Sequence, residues 1–280
     1  MRWREGRRSS NIEDRRGKRI SRGVKTGGGI AVVAAIAALL FANDFGPLIN
    51  LIGGKMMSPS QTQQQTVPQS AQDDTAAEFV SVILADTEDV WGPIFKQNGG
   101  QYKPPTLVLF DEMVQSACGV NSAQSGPFYC PGDQQAYLDL SFLNELQRLG
   151  AKGDFAVAYV ISHEIGHHVQ TLVGTADKVR QMQSQMSKAD ANALQVMAEL
   201  QADCYAGVWA HHAHKNRKVL EAGDIEEGIN AAQAIGDDRL TKGRAHPDSF
   251  THGTSAQRMK WLQIGLKSGD INQCDTFSGV

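Results

Sequence analysis

The sequence is poor in cysteine, with four in 280 residues, and it contains no Cys-x-x-Cys pair. The missing pair argues against a zinc site built from thiolates. Aromatic residues are also few, and the strongly basic first 26 residues contain only Trp3. Without aromatic residues between its cations, this basic head lacks the stacking platforms of proteins that bind single strands. No nucleic-acid partner is therefore expected.

The four cysteines that are present all follow residue 117. Cys118 and Cys130 flank a loop rich in Gly, Ser, Asn and Pro, which favours a local disulfide between them. Cys204 with Cys274 is the remaining pairing, which spacing alone does not establish. Disulfides form in an oxidising compartment, so both pairings assume that this part of the chain lies outside the cytoplasm.

The longest apolar run extends from Gly27 to Ala42 and contains no charged residue. A membrane span needs about 20 residues, so the predicted span is extended to residue 49. Ten cationic residues precede the run. The positive-inside rule therefore predicts a cytoplasmic tail at residues 1–26 and an uncleaved transmembrane anchor at 27–49. A cleaved signal peptide and a buried core helix are the alternatives.

Residues 50–75 are rich in Gln, Ser and Pro and are predicted to form a flexible linker. The folded domain is predicted at residues 76–280, with an α+β fold that is mostly helical and contains a small sheet. The predicted elements are a helix at 79–92, strands at 106–110 and 136–140, helices at 154–174 and 189–214, and two helices that begin with capping boxes at Asp224 and Thr254.

The segment His163-Glu164-Ile165-Gly166-His167 indicates the chemistry. Residues four apart lie on one face of a helix, so both imidazoles can reach one ion. Glu164 lies about 100° around the helix, where a carboxylate can hold a metal-bound water and take its proton. We predict that His163 and His167 bind one Zn²⁺ ion and that Glu164 is the catalytic general base.

A catalytic zinc ion takes three protein ligands and a water. Glu199 and Asp203 are four residues apart on a predicted helix and share one face. We predict that Glu199 is the third ligand and that Asp203 accepts a hydrogen bond from a ligand histidine and fixes its tautomer. A solvated acidic stripe is the alternative interpretation. The rival third ligand is one of His211, His212 and His214.

Three other histidines are candidates for roles around this site. His246 precedes Pro247 in a loop, an arrangement that resembles the His-Pro element near the C-terminus of one group of membrane metallopeptidases. We predict a catalytic role for His246, in which it polarises the scissile carbonyl or supports the oxyanion. An ordinary loop histidine is the alternative, and the same choice applies to His252. His168 is predicted to point away from the ligand face.

The segments HEIGHH and ELQADCYAG, the head MRWREGRRSSNIEDRRG and the late segment AHPDSFTHGTSAQRMKWL resemble the neutral zinc metallopeptidases of the bacterial YpfJ type. The similarity covers nearly the whole chain. It implies a zincin-like domain with His163, His167 and Glu199 as zinc ligands and Glu164 as the base. The Glu199–Asp203 pair is similar to the gluzincin arrangement. The resemblance implies no particular substrate.

The combined prediction is a zinc-dependent endopeptidase anchored by a single span in the bacterial cytoplasmic membrane, with its catalytic domain outside. A peptide or protein substrate would pair with an exposed edge strand at 136–140, for which a purely internal strand is the alternative. An inactive or latent zinc-stabilised binding module is the main alternative, and a membrane-tethered nucleic-acid binder is a weaker one. The sequence does not specify the oligomeric state.

Overall fold

The computed structural model, which describes residues 1–17 and 71–278, combines eight α-helices with a small sheet in these two ranges. The strands are β1 (Ile12–Asp14), β2 (Thr106–Phe110), β3 (Met113–Ser116), β4 (Gly119–Ser122), β5 (Phe128–Cys130) and β6 (Gln135–Asp139). The helices are α1 (Ala71–Gln97), α2 (Phe142–Arg148), α3 (Asp154–Leu172), α4 (Thr175–Gln183), α5 (Lys188–Arg217), α6 (Asp224–Ala234), α7 (Asp237–Leu240) and α8 (Ser255–Ser268). The predicted α+β class, mostly helical with a small sheet, is confirmed.

The predicted anchor at 27–49 lies outside the described residues, as does most of the predicted linker. The last five residues of that linker, 71–75, belong to α1. Within the two described ranges, no helix is both long enough and apolar enough to span a membrane.

The main sheet has the strand order β1-β2-β6-β5. β2 pairs in parallel with β1 and with β6, and β5 pairs antiparallel with β6. β6 is therefore an internal strand, and the prediction that this segment is an exposed edge is wrong. Four of its five residues are buried, as expected for a strand that is covered on both faces. β5 forms the edge instead, and β3 and β4 form a separate hairpin.

The first 17 residues pack against the rest of the domain, which the prediction of a separate tail did not foresee. β1 aligns Ile12 with Leu107 of β2. Trp3 is 6% exposed and meets Phe79 edge to face, with ring centroids 5.2 Å apart. Burial of this indole and strand pairing hold the segment despite its basic composition. The same compact unit contains residues 1–17 and 71–278.

Tertiary contacts also change the predicted end of the first helix. α1 continues through Pro93 to Gln97, although proline disfavours a helix interior. Trp91 and Ile94 are buried on either side of this proline, so their packing offsets the lost hydrogen bond.

The predicted capping box at the start of α6 does not form. The Glu227 carboxylate accepts a hydrogen bond from the backbone N–H of Phe155 at 3.0 Å instead, and so caps α3. The other predicted capping box, Thr254 with Gln257, is confirmed at the start of α8.

The helix α5 lies between α3 and α8, and glycines allow the close approaches on both sides. A Cβ atom at Gly166 of α3 would lie 3.0 Å from the Cα and carbonyl oxygen of Ala202. On the other side, a Cβ atom at Gly265 of α8 would collide with the carbonyl oxygen of Cys204. Both predicted disulfides, Cys118–Cys130 and Cys204–Cys274, are present, and the second ties α5 to the chain that follows α8.

Candidate metal centre

His163 and His167 of α3 face Glu199 of α5 in the centre of the domain. The Nε2 atom of His163 lies 3.1 Å from Glu199 Oε2, and the Nε2 atom of His167 lies 3.5 Å from Glu199 Oε1. One ligand atom from each of the three residues falls within 4.8 Å of the others. Tetrahedral zinc with bonds of 2.0–2.1 Å places its ligands about 3.3 Å apart. The two histidine–carboxylate distances match this spacing, so the three side chains form a group that can hold one zinc ion.

The two helices bring this group together through the HExxH spacing and a close crossing. His163 and His167 project from one face of α3 because they are four residues apart. Gly166, between them, lets α3 approach the backbone of α5 at Ala202. Glu199, one turn before Ala202, thereby reaches both imidazoles.

A charged network beneath the site orients His163. Its Nδ1 atom lies 2.8 Å from Asp203 Oδ1. Arg258 of α8 donates to both oxygens of the same carboxylate, from Nε at 3.0 Å and from Nη2 at 2.9 Å. The Tyr159 hydroxyl donates to Asp203 Oδ1 at 2.5 Å. Asp203 and Tyr159 are fully buried and Arg258 nearly so, so this network fixes the ring without help from solvent.

A neutral amide orients His167. Its Nδ1 atom lies 2.9 Å from Gln170 Oε1, and Gln170 Nε2 donates to the carbonyl oxygen of Ala198 at 2.7 Å. Since the amide nitrogen faces a carbonyl, its oxygen must face the imidazole, and His167 then carries its proton on Nδ1. Both histidines thus direct their Nε2 atoms towards Glu199, as expected for zinc ligands whose outer nitrogen is hydrogen-bonded.

The electrostatics of the group favour a bound cation. Burial alone would raise the pKa of Glu199, but the adjacent imidazoles hold it well below its usual range. Burial lowers the pKa of His163, yet the Asp203 carboxylate and the hydrogen bond to Glu199 outweigh this and raise it to about 10. In the metal-free protein a proton therefore supplies the positive charge between His163 and Glu199. A divalent cation supplies it when bound, and displaces that proton.

A cavity of about 1030 Å³ opens onto this group. Glu164 is half-buried in its wall. Burial lowers the pKa of His167, but the Glu199 carboxylate and, to a smaller extent, the charge of Glu164 raise it above its ordinary value. Phe128 and Tyr129 of the edge strand β5 also line the cavity. One cavity is therefore lined by the predicted base, the predicted ligands and two residues of a sheet edge.

His246 and His252 differ in whether they face this cavity. His246 is predicted to be catalytic, but its side chain is 76% exposed, pairs with Asp248 and does not line the cavity. His252 does line the cavity, and its Nδ1 atom lies 3.1 Å from Asp237 Oδ1. Of these two histidines, His252 is therefore the one that faces the cavity of the metal group.

None of the rivals to Glu199 reaches the metal group. His211 and His212 face the backbone carbonyls of Leu266 and Gly269, while the Nδ1 atom of His214 accepts the N–H of Leu220. His168 does point away from the ligand face. It is buried and bonded to the Tyr129 hydroxyl and to the carbonyl oxygen of Lys103.

The sequence analysis missed the residues that hold the ligands in place. Tyr159 and Gln170 share the ligand face of α3, four residues before His163 and three after His167, and this spacing was an available signal. Arg258 lies 55 residues beyond Asp203, and no local pattern pairs them.

The chain is similar to known proteins over nearly its whole length. A family model described as "Putative neutral zinc metallopeptidase" matches residues 1–277. The chain belongs to this family. Among the relatives, the protein YpfJ of Escherichia coli strain K12 is 48% identical over 99% of each chain. Rv2575 of Mycobacterium tuberculosis strain H37Rv is 42% identical and covers 68% of this chain and 67% of its own. The names of both relatives state no activity. No solved structure matches the chain.

Proposed function

We propose that this member of the zinc metallopeptidase family is an endopeptidase in which Glu164 is the general base. When bound, zinc would acidify the attacking water towards a pKa of about 7 and polarise the scissile carbonyl. The Glu164 carboxylate would accept the proton of that water and deliver it to the leaving amine. No covalent intermediate with the protein is needed.

One observation carries this proposal: the Nε2 atoms of His163 and His167 both face Glu199 at the spacing of tetrahedral ligands, because both Nδ1 atoms are held from behind. A site that takes three protein ligands leaves a fourth position for water. Glu164 lies in the wall of the same cavity.

The substrate would bind as an extended peptide along β5. In the described ranges no strand pairs with the outer side of β5, and Phe128 and Tyr129 line the cavity. Addition of a peptide strand to a free sheet edge provides main-chain hydrogen bonds that do not depend on sequence. The cavity volume of about 1030 Å³ lies at the upper end of the range for small-molecule sites, which suits several peptide residues.

His252 is the residue we propose for the carbonyl oxygen, in place of His246. The Asp237 carboxylate lies against His252 Nδ1 and also accepts the backbone N–H groups of Thr251, His252 and Gly253. The hydrogen bond to Asp237 raises the pKa of His252. The protonated ring then carries a second N–H on Nε2, and this is the donor available to the cavity. A donor that is fixed before the reaction stabilises developing negative charge most effectively.

The two disulfides support a location outside the cytoplasm. We further propose membrane attachment through the apolar segment at 27–49. The pairing of β1 with β2 supports a location of residues 1–17 in the same compartment as the rest of the domain. A single crossing would separate these two strands by about 30 Å of hydrocarbon. We therefore do not propose a single-pass arrangement with the N-terminus in the cytoplasm.

Thiol labelling of Ser10→Cys and Ser184→Cys, both at exposed positions, tests this location. A membrane-impermeant reagent should label both variants equally in cells with a permeable outer envelope. Labelling of the first variant only after lysis would place residues 1–17 in the cytoplasm and overturn the proposal.

Full-length wild type beside Glu164→Gln and Glu145→Gln tests the catalytic proposal. The full chain is required because residues 1–17 pack on the domain. Glu145 is the matched control, since it lines the same cavity but pairs with Arg148. Zinc content and cleavage of a pool of denatured proteins would be measured on the same samples.

All three proteins should hold one zinc ion, and only Glu164→Gln should lose cleavage, by at least ~100-fold, the lower end of what general-base catalysis supplies. Cleavage by Glu164→Gln at the wild-type rate would refute the role of this carboxylate. Zinc binding without cleavage by wild type would favour a latent or inactive binding module.

A further inference from the structure

The two imidazoles of the metal group rest on different kinds of support. Asp203, a charged residue, holds His163, whereas the neutral amide of Gln170 holds His167. Gln170 is 2% exposed, and its nitrogen also donates to Gln201 Oε1 at 3.1 Å. Gln201, on α5, is itself 7% exposed. Solvent therefore contributes little to the orientation of either amide.

The chain of hydrogen bonds continues from Gln201 to the end of the protein. Gln201 Nε2 donates to the carbonyl oxygen of Cys274 at 3.0 Å. A carbonyl only accepts hydrogen bonds, so it determines which way the Gln201 amide faces. The Gln201 oxygen must then face the nitrogen of Gln170, and the Gln170 oxygen must face His167. The direction of every bond is set by the two carbonyls of Ala198 and Cys274.

A covalent bond holds the second of these carbonyls in place. Cys274 forms a disulfide with Cys204, which lies three residues after Gln201 on the same helix. Both half-cystines are fully buried. Beyond the disulfide, the Thr276 hydroxyl donates to the carbonyl oxygen of Met197 at 2.6 Å. The chain after α8 is thus fastened to α5 on both sides of Gln201.

From this arrangement we propose that Gln170 and Gln201 are positioning residues that connect the Cys204–Cys274 disulfide to the zinc ligand His167. The relay keeps the proton of His167 on Nδ1 and its Nε2 lone pair towards the metal. This inference rests on the metal centre of the proposed function, but it concerns zinc affinity rather than peptide hydrolysis. Removal of the disulfide should therefore weaken zinc binding at a ligand that the disulfide does not touch.

Zinc affinity of the full-length, oxidised protein, measured by competition with a chromophoric chelator, tests the relay. Gln170→Leu should bind zinc ~10–100-fold more weakly than wild type, the usual cost of losing the partner of a ligand histidine. The double change Cys204→Ala/Cys274→Ala should weaken binding in the same direction by a smaller factor. Cys118→Ala/Cys130→Ala is the matched control, because it removes the other disulfide, and it should bind as wild type does.

Combining the changes separates a relay from general loosening of the fold. If the elements act in series, adding Cys204→Ala/Cys274→Ala to Gln170→Leu should cause no further loss of zinc affinity. Equal factors in both backgrounds would mean independent effects and would overturn the relay. Gln201→Met is the second variant, should Gln170→Leu fail to fold; wild-type zinc affinity in folded Gln201→Met would also overturn it.

The ring nitrogens of His167 provide a readout that a merely structural role would not move. Nitrogen NMR of the zinc-bound protein should show the Nδ1–H tautomer of His167 in wild type and a mixture of Nε2-bound and Nδ1-bound rings in Gln170→Leu. An unchanged tautomer in that variant would contradict the proposal. Failure of wild type to bind zinc at all would refute the metal centre itself, and with it the proposed function, which is a distinguishable outcome.

Discussion

Replacing Arg258 by methionine would test the charged network that supports His163. Methionine keeps an unbranched apolar stem but removes the guanidinium group, which makes two hydrogen bonds to Asp203 and one to the Tyr159 hydroxyl. Asp203 is 0% exposed, so its carboxylate would stay buried with only Tyr159 and His163 as partners. Removing one member of a buried ion pair destabilises a protein by about 3–5 kcal/mol, because it leaves the other charge with too little compensation. Here the protonated His163 is shared between Asp203 and Glu199, so it does not replace Arg258.

Urea unfolding of the zinc-free protein with intact disulfides would measure this loss. With a denaturant slope of about 3 kcal/mol/M, the unfolding midpoint should fall by about 1–1.7 M. Arg148→Met is the matched control, because Arg148 pairs with Glu145 at the surface and its side chain is 78% exposed. The free energy of unfolding of this control should change by less than ~0.5 kcal/mol.

A second substitution distinguishes two causes of the stability loss, an unpaired buried charge and lost packing. Asp203→Asn in the Arg258→Met background removes the uncompensated charge and should recover part of the lost stability. Burial raises the pKa of Asp203, and Arg258 is the principal group that brings it below its usual range. A loss of less than ~1 kcal/mol in Arg258→Met, within the range of exposed pairs, would refute the argument that Arg258 compensates this carboxylate.

Three further predictions concern the fold. Trp3→Ala should lower the free energy of unfolding by about 3–5 kcal/mol, and a loss below ~1 kcal/mol would show that residues 1–17 contribute little. Gly265→Ala should lower the melting temperature because its Cβ would meet the backbone of Cys204, whereas Gly92→Ala, with open space around its Cβ, should not. Burial lowers the pKa of His168 from 6.5 to about 4, so an unfolded chain binds more protons in this window. Wild type should therefore lose about 2 kcal/mol more than His168→Gln between pH 7 and pH 5, and equal losses would refute a buried neutral imidazole.

Local patterns in the sequence are sufficient to predict much of the fold and the group of three side chains at the candidate metal centre. The strand at 106–110 coincides with β2, and the capping box at Thr254 forms as predicted. His163 and His167 meet because helical spacing alone places them together. Glu199 joins them because two acidic residues on one face of an apolar helix usually have a buried partner.

The failures share a different cause, which is competition between distant segments. The apolar content of 136–140 correctly predicts a strand, but only the pairing of β5 decides that β6 is internal. Glu227 had the spacing of a capping box, yet the N–H of Phe155 is a competing donor from another helix. The basic head looked like a tail by charge, whereas burial of Trp3 and pairing of β1 depend on partners more than 60 residues away. No window of local sequence contains these competitors.

The different supports of the two histidines follow from the balance of buried charge. With zinc bound and both imidazoles neutral, the charged groups of the site are Zn²⁺, Arg258, Glu199, Asp203 and Glu164, whose formal charges cancel. Charges removed from water are tolerated when they are paired. A carboxylate in the place of Gln170 would also orient His167, but it would leave one negative charge uncompensated beneath the metal. The amide relay through Gln170 and Gln201 fixes the tautomer without adding charge. A neutral relay has no Coulombic attraction to hold it, so its direction depends on fixed carbonyls at its end, and the disulfide at Cys274 fixes one of them.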